Sequence, residues 1–171
     1  KGNEVWTLVD DKYAPFGYMP SSMRGQPAVI LRPDLPRVKT GSGGPPDGVT
    51  HTGNVTLNAD GSGKLSIKQS YSGRLAILLR EQIQKIADDE RLKVAIESRL
   101  LPEGLPGARV ISVAVNNLED LDAPLELALE LEVTALARRD GGTLIMAPPF
   151  ASAVRLSALA ALDKREKPLM L

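Results

Sequence analysis

Between residues 125 and 133 the chain reads LELALELEV, with Leu125, Leu127, Leu129, Leu131 and Val133 alternating with Glu126, Glu130 and Glu132. In an extended backbone successive side chains point to opposite faces, so this stretch has one dry side and one wet side. That is the signature of a strand in an antiparallel sheet with one solvated face, and a slip of a single residue would turn every leucine into water. The dry side needs a cover of aliphatic side chains, since aromatics make up only 4% of the 171 residues. A chain of this length can bury a core without metal or disulfide staples. With no cysteine, there is no disulfide, no thiolate metal site and no cysteine nucleophile in the chain.

The cover lies upstream. Leu75, Ala76, Leu78, Leu79, Ile83 and Ile86 recur at helical spacing among Arg74, Arg80, Glu81, Gln84 and Lys85, with Ser72 placed to cap the helix. A second helix opens on Asp88, Asp89 and Glu90, where the helix dipole favours negative charge. It carries Leu92, Ala95, Ile96 and Leu100 on one face and stops at Pro102 and Gly104. Before the helices, Val55 and Leu57 alternate with Thr56 and Asn58, ADGSG turns the chain, and Leu65 and Ile67 alternate with Ser66 and Lys68, which predicts a hairpin. Residues 109–115 read as extended, and Gly141-Gly142 turns the chain into 143–146, expected to pair with 125–133. Residues 154–162 are compatible with helix or strand.

Val5–Val9 and Ala28–Leu31 read as short strands, followed by a Pro/Gly-rich stretch centred on Gly41-Ser42-Gly43-Gly44-Pro45-Pro46. The expected organisation is an N-terminal remnant over 1–31, a linker over 32–53 and an α+β body over 54–171. The body is expected to hold an antiparallel sheet of about five or six strands, with a two-helix layer on one face. The abrupt start and the final KREKPLML suggest a fragment of a longer polypeptide.

Lysine plus arginine and aspartate plus glutamate both number 21, so no net field gathers polyanions or anionic lipid, and nucleic acid is not an expected partner. The basic residues Arg138, Arg139, Lys164, Arg165 and Lys167 are interrupted by Asp140, Asp163 and Glu166 and read as solvated faces. No apolar run approaches the roughly 20 residues that cross a bilayer, and no signal-peptide core follows Lys1-Gly2-Asn3-Glu4. DGSGKLS (60–66) lacks the glycine, the hydroxyl residue and the following helix of a phosphate-binding loop and is a hairpin turn. Glu119, Asp120 and Asp122 match no calcium loop and read as a solvated turn. His51, the single histidine, falls in the linker and reads as a surface residue. No cofactor or metal is expected.

VWTLVDDKYAPFGYMPSSMRG (5–25) resembles the end of bacterial transglutaminase-like domains, papain-related cores in which a strand bearing Trp and then an aspartate precedes a PFG-x-x-P turn and a downstream RG. The resemblance implies that Asp10, with Asp11 beside it, is the third member of a Cys-His-Asp triad and orients the histidine. The matching cysteine and histidine would lie before Lys1, so the chain cannot run thiol acyl transfer alone. Equally, a strand-end aspartate can simply accept backbone N–H groups of the following turn. YSGRLAILLREQI, LPGARVISVAVNNLEDLDAPLELALELEV and GGTLIMAPP resemble the poorly characterised domain that follows such cores in large bacterial proteins, many of them exported or membrane-anchored. The implied function is a noncatalytic accessory module whose partner is the upstream core. The alternatives are a fragment that contributes Asp10 to an active enzyme, and an independent adhesion or carbohydrate-binding domain. Against the last stands the small aromatic inventory of Trp6, three tyrosines and two phenylalanines.

Overall fold

The computed structural model describes residues 5–149, apart from 43, 45, 87, 102–104 and 106. The LELALELEV stretch is a strand from end to end (β6, Leu125–Val133), and its four leucines and Val133 are buried. β4 (Gly63–Ser72) and β5 (Ala108–Asn116) flank it, and β3 (Gly48–Leu57) lies outside β4. All pairings in this four-stranded sheet are antiparallel, in the order β3-β4-β6-β5.

That order dictates where the helices go. β4 and β5 both run antiparallel to β6, hence parallel to each other, and a parallel pair cannot be joined by a tight turn. The chain leaving Ser72 must cross the sheet to reach Ala108. It does so through α1 (Arg74–Ile83) and α2 (Asp89–Ala95), the latter prolonged by a π-helical turn, Ile96–Leu100, in which Leu101 N–H donates to Ile96 O at 3.0 Å. Asp88 caps α2, its carboxylate accepting from Arg91 N–H at 2.8 Å. Ala76 and Ile83 of α1, Leu92 of α2 and Ile96 close over Leu65, Ile67, Tyr71 and the β6 leucines in one core. Each large side chain so removed from water contributes about 1.5–3 kcal/mol.

The other face of the sheet is a polar ladder. Lys64 Nζ meets Glu132 at 3.1 Å, Ser66 Oγ donates to Glu130 at 2.6 Å, and Lys68 Nζ meets Glu126 at 2.8 Å. Opposite charges across β4 and β6 favour the same register that the leucines require.

Several expectations are corrected. Among the described residues the main sheet has four strands, not five or six, and there are two small two-stranded sheets besides it. Residues 143–146 do not join β6, because β4 and β5 already occupy both of its edges; instead β8 (Thr143–Ile145) pairs with β7 (Arg138–Asp140). Residues 5–9 form no strand, and the extended segment expected at 28–31 is β1 (Pro27–Val29). Its partner, β2 (Arg37–Lys39), lies inside the stretch expected to be linker, as does the opening half of β3. On α1 the buried residues are Ala76, Ile77, Arg80 and Ile83, while Leu75 and Leu78 face solvent. The helix is rotated because Arg80 finds partners inside. Residues 154–162, the terminal KREKPLML and the helix stop at Pro102 and Gly104 lie outside the described residues.

Candidate functional site

Asp10 and Asp11 stand at the mouth of an open cleft of about 510 Å3, shared with Lys12, Tyr13 and, from α1, Glu81, Gln84 and Lys85. A ladder of local bonds shapes its wall. Leu8 N–H donates to Tyr18 O at 2.8 Å, Gly17 N–H to Thr7 Oγ1 at 3.1 Å, and Gly17 turns the chain with φ +80°. The two aspartates divide the work. Asp11 Oδ1 accepts from Tyr13 N–H at 2.9 Å and Asp11 O from Ala14 N–H at 3.1 Å, so Asp11 is the turn aspartate. Asp10 is exposed, and no hydrogen bond to its side chain occurs among the described residues.

Across the cleft, Glu81 pairs with Lys85 at 2.8 Å, and this hydrogen bond holds its carboxyl below the ordinary range. Lys12 Nζ lies 4.6 Å from the centre of the Tyr13 ring, and Tyr13 raises the ammonium above its usual value. The cleft is open and brings charges of both signs face to face.

Asp47 ties this N-terminal segment to the body. Its Oδ1 accepts from Arg74 N–H at 2.7 Å, capping α1, and from the Tyr18 hydroxyl at 3.2 Å. The expected cap, Ser72, turns instead to Pro46 O at 2.9 Å. Gly73 carries φ +59°, and a side chain there would run into Asp47. Burial, and then the Asp47 carboxylate, push the Tyr18 phenol up.

His51 sits on β3 rather than in a linker, opposite Gln69. The buried Gln69 accepts from the Tyr71 hydroxyl through Oε1 at 2.8 Å, which leaves its Nε2 as the donor toward His51 Nδ1 at 3.2 Å. With the amide so oriented, Nδ1 acts as the acceptor of this bond, which corresponds to the tautomer that carries its proton on Nε2. Burial pushes His51 down and Tyr71 up, the latter to about 12.

The acidic turn Glu119, Asp120 and Asp122 does surround a cation, but the cation is a side chain. Arg80, 1% exposed, reaches Asn117 O at 3.1 Å, Asp120 O at 2.6 Å and Ala123 O at 2.7 Å through Nη2. Asp120 Oδ1 receives the N–H groups of Asp122 and Ala123, and Glu119 accepts from Gln84 Nε2. Burial pushes the guanidinium below its ordinary value, and Asp120 acts against that shift. Among the described residues no group of three or more His, Asp and Glu is arranged to hold a metal ion.

A second cavity, about 740 Å3, opens between α1 and α2 with Leu79, Ile83, Ile86, Leu92 and Ile96 on its walls and Leu127 of β6 in its floor. Its lining is aliphatic and its charged residues, among them Lys85, Glu90 and Arg91, are exposed at the rim. A groove so lined has the shape and apolarity that suit an apolar side chain. Of the basic residues weighed from sequence, Arg139 donates to Ala59 O at 2.7 Å, and Lys164, Arg165 and Lys167 lie outside the described residues. No helix among the described residues is long and apolar enough to cross a membrane.

Comparison of the chain with protein-family models, with curated proteins and with solved structures finds no match.

Proposed function

We propose that this chain is a noncatalytic accessory module of a transglutaminase-like protein, and that its N-terminal segment seats against the papain-like core of that protein. The observation that carries the reading is the succession of exposed apolar side chains along the N-terminal segment. Val5, Val9, Phe16, Met23, Leu31 and Leu35 are all exposed, Val9 to 89% and Leu31 to 91%, while the leucines of β6 are dry. Other exposed apolar side chains, Leu75, Leu78 and Val94 among them, are spread over the body, whereas the N-terminal segment carries a succession of them, which suits a surface made for another protein surface. Asp47 and Tyr18 fix that segment to the body, so a core seated on it would be held at a set place relative to the sheet. The PFG turn of the resemblance includes Phe16, one of these exposed residues.

The test begins with the reading frame before Lys1. Where it encodes a transglutaminase-like core, that core, expressed separately, is titrated with this chain, and Phe16→Ser with Leu31→Ser is expected to weaken binding at least tenfold without moving the thermal melt of the chain. Equal affinity would refute the seating. Turnover of amine or glutaminyl-peptide substrates by the purified chain alone would refute the noncatalytic assignment.

A second reading is favoured by the division of labour between the aspartates. Because Asp11 supplies the turn bonds, Asp10 is left to orient a histidine brought by the core, completing a Cys-His-Asp triad in the longer protein. Asp10→Asn in the core-containing protein is then expected to cut turnover by orders of magnitude with little change in stability. Unchanged turnover removes Asp10 from the mechanism.

A further inference from the structure

The two helices cover the sheet from opposite sides and leave a slot between them. α1 packs against β3 and β4, and α2 with its π-helical turn packs against β5, while β6 runs between them in the order β3-β4-β6-β5. The slot is the cavity of about 740 Å3 whose floor is Leu127. Folded interiors are close-packed, so a space of this size at the middle of a sheet calls for a reason. It is open to solvent along the α2 wall, where Val94 is 62% exposed, and Leu79 and Ile86 on the α1 wall are only half-buried.

Its walls suit one kind of ligand. On α1, Leu79, Ile83 and Ile86 recur at i, i+4 and i+7, and Leu92 and Ile96 face them with the small Ala95 between. No aromatic side chain lines the slot among the described residues, so a flat ligand has nothing to stack on, while an alkyl chain meets aliphatic carbon throughout. Neutral hydrogen-bonding side chains are limited to Gln82 and Ser98, and the Ser98 hydroxyl already donates to Val94 O at 2.8 Å. A peptide laid along the slot would bring backbone N–H and C=O groups that need partners there; an alkyl chain needs none. A single apolar side chain would fill only part of the volume, which falls in the range of small-molecule sites, about 300–1,000 Å3.

The rim selects the head group. Its charged residues are Lys85, Glu90, Arg91 and Arg99. Lys85 pairs with Glu81 at 2.8 Å, Glu90 with Lys93 at 2.7 Å and Arg91 with Asp88 at 3.6 Å. That leaves Arg99, exposed and without an ion pair among the described residues, so the mouth keeps one uncompensated positive charge. Arg99 belongs to the π-helical turn, a backbone geometry that is rare and frequent at functional sites. We propose that the slot binds a free fatty acid, with its alkyl chain between α1 and α2 over Leu127 and its carboxylate at Arg99. The planar guanidinium fork matches a carboxylate in a way that it does not match an amine or an alcohol. The slot is independent of the N-terminal segment, none of whose residues line it.

The test titrates the full chain with sodium dodecanoate, kept monomeric below its micelle concentration, by isothermal titration calorimetry, while the methyl resonances of Ile83, Ile86, Leu92 and Val94 are followed by NMR. Saturable binding of one dodecanoate per chain is expected, with a negative heat-capacity change and shifts at those methyls. Affinity should rise about fourfold for each methylene from octanoate to dodecanoate. Ala95→Phe fills the slot from a half-buried position and should weaken binding at least tenfold with an unchanged far-UV spectrum. Arg99→Glu, at an exposed position, should weaken dodecanoate at least fivefold and leave dodecanol unaffected. Absence of saturable binding, equal affinity for dodecylamine, or binding that survives either variant unchanged overturns the proposal. So does a chain that ignores dodecanoate but sediments with anionic phospholipid vesicles, or holds a peptide that Ala95→Phe displaces, since the slot would then belong to a membrane or a protein.

Discussion

Replacing Arg80 with methionine probes how α1 is fixed to the end of the sheet. Nη2 carries two hydrogens but faces three carbonyl oxygens, those of Asn117, Asp120 and Ala123. Two full bonds form at once and the third contact is shared. Two charge-assisted bonds at about 1.5–3 kcal/mol each amount to roughly 3–6 kcal/mol. Against them stands Nε, buried and without a partner among the described residues, at a cost of about 1–3 kcal/mol. Methionine keeps much of the aliphatic packing, and the exposed turn lets the released carbonyls regain some water. The expected net loss for Arg80→Met is about 2–3 kcal/mol, less than the gross bond energy because a buried charge is also removed. Urea unfolding followed by far-UV circular dichroism reads it as a lower midpoint at constant slope. Arg80→Lys should fall between the two, since an ammonium on a different stem cannot place its hydrogens as the planar fork does. A midpoint for Arg80→Met equal to or above the parent's would refute the reasoning. It would mean that desolvating the guanidinium costs as much as its carbonyl cluster returns.

Three further outcomes are expected. Asp47→Ala removes the cap of α1 and leaves the Tyr18 hydroxyl without its acceptor, for a loss of about 1–3 kcal/mol in a thermal or urea melt; a melt indistinguishable from the parent's would refute the capping role. Leu129→Asp places a carboxylate at a site that is 1% exposed, between the helices and the sheet, and should unfold the chain; a cooperative transition near the parent's midpoint would count against the core assignment. Burial raises Tyr71 from 10.0 to about 12, so the unfolded phenol ionises first; the stability held below pH 10 drains away as pH rises toward 12. Tyr71→Phe should flatten that alkaline loss of stability, measured by urea midpoints across the same range, and an unchanged profile would remove Tyr71 as its source.

The parts of the fold legible in the sequence are those where a residue's role depends on close neighbours. β6 could be read to its end residues because alternating Leu and Glu admit one orientation of a strand. The β3–β4 hairpin followed from ADGSG, whose turn chemistry is local, and the start of α2 from the negative charge of Asp88, Asp89 and Glu90, while the bond by which Asp88 caps the helix is seen only in the structure. Asp10 could be singled out only through a resemblance. Its separation in role from Asp11 rests on which carboxylate faces the turn, and that depends on backbone angles.

Arg80 was open to detection, since it shares a helical stripe with Ala76 and Ile83, yet a lone arginine on an apolar stripe is ordinarily assigned to solvent. Its three carbonyls lie 37, 40 and 43 residues away, and no pattern within a turn of helix reports them. The cap of α1 was placed on Ser72 for the same reason, because the carboxylate that does the work, Asp47, is 27 residues from the N–H it accepts. Residues 143–146, expected against 125–133, do not pair there because strand pairing depends on which edges remain open, and β4 and β5 close both edges of β6.

Periodicity, turn residues and the absence of cysteine thus set the α+β class, the aliphatic core and the lack of thiol chemistry from the amino-acid order alone, because each is a property of single residues or near neighbours. Folding in three dimensions settled the strand order, the rotation of α1 and the cap at Asp47. Those features arise from groups far apart in the chain, brought together once the parallel β4 and β5 forced the helices across the sheet.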